Sequence, residues 1–141
     1  MRRLILPLLA VLAIAACSSD HSLNLDPTDA NVTGSFNLTF AAGQTLPYQA
    51  FSTTTELFDI ASDKIVISAD NTWVDTTNYV VFELVDGSQS TQTTVSAGTY
   101  QVATSQINFV TTTGGTAAFT GSVTGNTLSV LFNGSKFVYT R

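Results

Sequence analysis

From Gly87 through Ser135 the chain contains no Asp, Glu, Lys or Arg, although apolar and polar side chains alternate there between glycine-rich turns. Alternation with a period of two is the signature of β-strands that bury one face, and no helical period is sustained for ten residues. An open sheet protects its edges with charges, prolines or bulges, because unpaired backbone groups recruit other chains. A stretch without charged gatekeepers avoids that hazard most simply by having no free edge. The chain is therefore expected to be all-β, an antiparallel meander that closes on itself.

The alternation starts in the segment Val32, Gly34, Phe36, Leu38 and Phe40, with Thr33, Ser35, Asn37 and Thr39 on the other face. It returns at Ile65 and Ile67, at Val80, Phe82 and Leu84, and at Tyr100 and Val102. Further on it recurs at Ile107 and Phe109, at Ala117, Phe119 and Val123, at Leu128, Val130 and Phe132, and at Phe137 and Tyr139. Turns are expected at Asp70-Asn71, Asp86-Gly87, Gly114-Gly115, Gly125-Asn126 and Asn133-Gly134. Connections this short join neighbouring antiparallel strands, and about eight such strands close into a ring just wide enough for packed side chains or one small ligand. The expected interior residues are Phe36, Phe40, Phe82, Tyr100, Phe109, Phe119, Phe137 and Tyr139. Trp73 and Tyr79 share a face with Asp75 and Glu83. That face reads either as an outward, protein-binding patch or as one from which a bulge turns Trp73 inward. Alternation is symmetric under inversion, so a transmembrane barrel is weighed by length: most runs look five to eight residues long, short of the ~9–11 of a spanning strand.

The N-terminus has a different character. Arg2 and Arg3 precede an apolar run from Leu4 to Ala13, and Ile14-Ala15-Ala16-Cys17 follows. The run is about half the ~20 residues that a membrane-spanning helix needs. This arrangement resembles the signal of bacterial lipoproteins, in which small residues before the cysteine fit the signal peptidase and the thiol receives a diacylglyceryl group. The resemblance implies cleavage after Ala16 and lipidation of Cys17, with palmitate-like chains that tether the protein stably. Ser18, where aspartate would favour inner-membrane retention, points to the outer membrane of the cell envelope. Residues 1–16 are thus expected to be discarded, residues 17–31 to form a lipidated, flexible tether, and residues 32–141 to fold as one domain.

Charge and composition exclude several classes. The formal net charge is −5, and only Lys64, Lys136 and Arg141 remain beyond the signal, so no nucleic-acid partner is expected. Cys17 is the only cysteine and is used for the anchor, which leaves no disulfide, thiol nucleophile or cysteine-bound zinc. His21, the only histidine, lies in the polar tether. Asp26, Asp29 and Asn31 lack the glycine and terminal glutamate of a calcium loop, so no metal is expected. Catalysis would fall to Glu56, Asp59, Asp63, Asp70, Asp75, Glu83 and Asp86. Asp63, Asp70 and Asp86 read as turn residues, and Glu56 and Asp59 lie in a strand of undetermined facing. No catalytic residue, cofactor or enzymatic activity is expected.

The motif order then carries a second resemblance. Gly34-Ser35-Phe36 and Gly43-Gln44-Thr45-Leu46-Pro47-Tyr48 are followed by Gly98-Thr99-Tyr100-Gln101-Val102, Gln106-Ile107-Asn108-Phe109 and Thr120-Gly121-Ser122-Val123. Phe137-Val138-Tyr139-Thr140-Arg141 closes the chain. Over residues 32 to 141 this order is similar to small bacterial lipocalin-like lipoproteins, which implies a lipocalin-like barrel. Phe36 stands where true lipocalins have the tryptophan of Gly-x-Trp, and no Thr-Asp-Tyr segment occurs. The family's late arginine packs on the first-strand ring, so Arg141 reads either as a cap over Phe36 or as a solvated chain end. Leu46, Pro47, Tyr48 and Phe51 are the candidate ligand-mouth residues, acting either as a lid or as a plug of one end of the core. Two functions follow as expectations for a lipid-anchored monomer: binding of a small apolar ligand, or contact with another envelope protein by a module whose barrel is filled.

Overall fold

A computed structural model describes residues 32–114 and 118–141. The signal, Cys17, the tether and Ala117 lie outside the described residues. Ten strands follow one another: β1 (Gly34–Ala41), β2 (Gln44–Thr45), β3 (Tyr48–Ser52), β4 (Glu56–Ile67), β5 (Thr72–Glu83), β6 (Gln89–Ala103), β7 (Gln106–Thr113), β8 (Ala118–Thr124), β9 (Thr127–Phe132) and β10 (Ser135–Thr140). From β4 to β10 each strand pairs antiparallel with the next, and β1 pairs with both β10 and β4. The result is a closed eight-stranded antiparallel barrel, with β2 and β3 as two additional strands.

The tight turns explain the meander. Asn71, Gly87, Gly125, Asn133 and Gly134 all have positive φ, the backbone that short antiparallel connections demand. Asp70 and Asp86 brace two of these turns by accepting backbone N–H groups of Thr72 and Ser88. Another reversal, between β6 and β7, places Thr104 at φ 57°, a conformation that its β-branched side chain does not advertise.

Closure is uneven. β1 pairs with β4 only from Gly34↔Ile67 to Asn37↔Lys64. Beyond Asn37 the two strands part, and their freed edges are taken by β2, against Phe40 and Ala41, and by β3, against Leu57 to Ile60. The barrel therefore has a fully ringed end, where β1 starts and β10 finishes, and a split end where Leu46-Pro47 crosses between β2 and β3.

The ringed end is filled. Trp73, Tyr100, Phe36, Phe109, Ile65, Ile67, Ile107 and Leu128 are almost completely buried, and burial of each such side chain contributes about 1.5–3 kcal/mol. Phe109 stacks on Phe119 with centroids 4.6 Å apart, and Trp73 meets both rings edge-on. The two polar tips in this layer are satisfied: Trp73 Nε1–H donates to the Thr99 carbonyl at 3.0 Å, and the Tyr100 hydroxyl donates to the Ser68 carbonyl at 2.9 Å. Across this end the Arg141 guanidinium lies 5.0 Å from the Phe36 ring centroid and donates to the carbonyls of Thr33 and Gly125.

Several expected placements need correction. Phe40 is 46% exposed, because a register shift between Leu38 and Phe40 reverses the facing and turns Ala41 inward instead. Phe82 lies on the outer face of β5: the pairing with β6 runs unbroken from Thr72 to Phe82, so the face that buries Trp73 continues through Thr77 to Val81. The same continuity removes the outward patch proposed for Trp73, which points inward without a bulge. Strands β4, β5 and β6 are 12, 12 and 15 residues long, longer than the short runs read from the sequence. No described helix is long and apolar enough to cross a membrane.

Candidate functional site

Above the filled layer the barrel holds a cavity of about 850 Å³, partly open to solvent at the split end. Its floor is built by β4, β5, β9 and β10, through Ile65, Trp73, Val130 and Tyr139. Its upper wall includes Tyr48, Phe51 and Phe137. Tyr48 meets Phe137 edge-on at 6.3 Å, while Phe51 stacks on Phe58 at 4.3 Å and meets Tyr79 edge-on. The segment from Leu46 to Phe51 is therefore part of the wall along the seam. Leu46 packs against the core, Tyr48 and Phe51 line the cavity, and Pro47 is exposed. Among the expected interior residues, Phe36, Tyr100, Phe109 and Tyr139 are buried in the core, and Phe119 and Phe137 pack against it.

The floor also carries two carboxyls that the sequence reading placed elsewhere. Asp63 stands in mid-strand, not in a turn. A register shift in β4 between Ile60 and Ser62 sets it on the inward face with Ile65 and Ile67, and it is 7% exposed. Asp75 faces inward from β5 between Trp73 and Thr77 and lines the same cavity. The Tyr139 hydroxyl donates to Asp63 Oδ2 at 2.9 Å, and Thr77 Oγ1 lies 3.5 Å from Asp75 Oδ2. Apart from the other carboxyl, neither Asp63 Oδ1 nor Asp75 Oδ1 has a hydrogen-bond partner.

Burial first, and then the adjoining Asp63 carboxyl, push the Asp75 carboxyl up to about 9. Asp75 therefore holds a proton at neutral pH, shared with the Asp63 carboxyl beside it. Burial also raises the hydroxyls of Tyr79 and Tyr139, whose ionisation the nearby carboxylate charge further opposes. Both stay protonated and available as donors. Among the described residues no Lys, Arg or His lines the cavity. Among the described residues no three His, Cys, Asp or Glu side chains come together as a metal site.

A signal for the pair was present in the sequence. Asp63 alternates in step with Ile65 and Ile67, and Asp75 alternates with Trp73 and Tyr79. What the letters do not display is the shift at Ile60/Ser62, which brings Asp63 round to the face of Asp75. Comparison with protein-family models, with curated proteins and with solved structures finds no match.

Proposed function

We propose that this chain is a lipocalin-like lipoprotein of the cell envelope, anchored through acylated Cys17 in the outer membrane, which binds a small molecule with an apolar body and catalyses no reaction. The observation that carries the binding reading is the division of the barrel: one end is packed solid, while the other holds a partly open cavity of about 850 Å³ lined by aromatic and small polar side chains. Pockets of this size and character suit small organic ligands. A barrel acting only as a docking module has no need of such a space, and this favours the binder over the filled interaction module. The anchoring half of the proposal rests on the Arg2 to Cys17 pattern.

Native mass spectrometry of the full chain, extracted from its own membranes in mild detergent, tests the reading. The expected result is an acylated polypeptide starting at Cys17 with an additional non-covalent small-molecule mass that is lost on collisional activation. A bare polypeptide that crosslinks in cells to a single envelope protein would overturn the binding reading and favour the interaction module. An unprocessed, unacylated N-terminus would overturn the anchor.

A further inference from the structure

We propose that the ligand carries a protonated amine, which docks on the Asp63–Asp75 carboxyl pair while its apolar body lies against the aromatic wall above. This rests on the binding reading and deepens it by naming the ligand's head group.

The first ground is an unmet electrostatic demand. Asp63 is more than nine-tenths buried and lines the cavity, and apart from the other carboxyl neither its Oδ1 nor that of Asp75 has a partner. A shared proton explains how two carboxyls tolerate each other, yet it places no cation beside them. Among the described residues the other titratable groups on the cavity wall are the hydroxyls of Tyr48 from β3, Tyr79 from β5 and Tyr139 from β10, and none of these supplies a cation. Buried charge without a counterion is costly, and the cost falls sharply once a cation with N–H donors arrives from outside.

The second ground is the shape and chemistry of the space. A bare metal ion would want more oxygen ligands than two carboxyls in near contact provide, and no third metal-ligating side chain adjoins them among the described residues. An ammonium needs only the pair and neighbouring hydroxyls. The remaining volume then accommodates a hydrocarbon or aromatic body against Trp73, Phe119 and Phe137, whose ring faces also attract cations.

Three probes of one shape decide the matter: naphthylethylamine, the neutral naphthylethanol and the anionic naphthylacetate, titrated calorimetrically into the full-length acylated protein against a protein-free micelle blank. The expected ranking is amine first, by about tenfold or more over the alcohol, as a charge-assisted hydrogen bond warrants, with the acid weakest. Asp75→Asn keeps the Asp63 carboxyl and keeps the ranking. The double variant Asp63→Asn, Asp75→Asn removes both carboxyls and brings amine and alcohol to about equal affinity. If the double variant does not fold, the ranking on the native protein decides alone. Equal binding of amine and alcohol to the native protein overturns the amine assignment and leaves the binding reading standing. If none of the three probes binds and native mass spectrometry shows no retained molecule, the binding reading itself falls.

Discussion

A carboxyl placed between an indole and a threonine on the buried face of a strand is a poor choice for stability, and Asp75 shows how poor. In the unfolded chain it titrates near the ordinary 3.8, and in the folded chain near 9. Between those two pH values the folded protein holds a proton that the unfolded chain has released. The stability that comes from this proton is complete below pH 3.8 and declines as pH rises towards 9. Asp75→Asn replaces the protonated acid with a neutral group of the same shape. We expect it to be more stable than the native protein by about 1–3 kcal/mol at pH 8. The advantage should shrink towards pH 4, as measured by denaturant titration at each pH. An advantage independent of pH would contradict the shared proton. At this scale the sequence was only half readable: Asp75 was already grouped with Trp73 and Tyr79, but a charged residue in that company suggested an outward face. Asp63 was mistaken for a turn residue because a lone aspartate next to Ser62 and Lys64 looks solvated until its facing relative to Ile65 is counted.

Strands and turns were more legible, because the features that define them are local. Glycine, asparagine and aspartate mark the reversals, and alternation marks the faces of β7, β9 and β10 correctly. The misplacements of Phe40 and Asp63 sit at register shifts, where one extra residue inverts every facing that follows, and such a shift depends on the partner strand. Phe82 was lost for another reason: Val80, Val81 and Phe82 are all apolar, so β5 has no readable parity at that point. The shift between β6 and β7 at Ala97/Gly98 brings the two backbones very close, and a Cβ added to Gly98 would lie 1.9 Å from the Val110 carbonyl oxygen. Only glycine fits this crossing. Gly98→Ala is expected to cost about 1–3 kcal/mol or more, since the obstacle is backbone and cannot rotate away. A shift of the denaturation midpoint within error of zero would show that the strands separate there without penalty.

On the scale of the whole molecule, closure was deduced from what the chain lacks, and the ring of eight strands agrees with that deduction. The split end and the two short strands that fill it were not deduced, since β2 and β3 have little pattern of their own. Arg141 gathers the opposite end: it joins the start of β1, through Thr33 and the Phe36 ring, to the turn between β8 and β9. Arg141→Ala removes this clasp and should lower stability by about 0.5–2 kcal/mol, read as a fall in melting temperature, whereas Arg141→Lys retains the charge and recovers only part of the loss. An unchanged melting temperature would reduce the clasp to a surface contact.

The position of Trp73 has a practical consequence. It is the only tryptophan in the chain, and its indole lies at the boundary between the packed layer and the cavity. Excited near its absorption edge, the protein therefore emits from a single chromophore whose surroundings change when the space above it is occupied. The molecule brings its own optical label to any study of occupancy, and none has to be engineered into it.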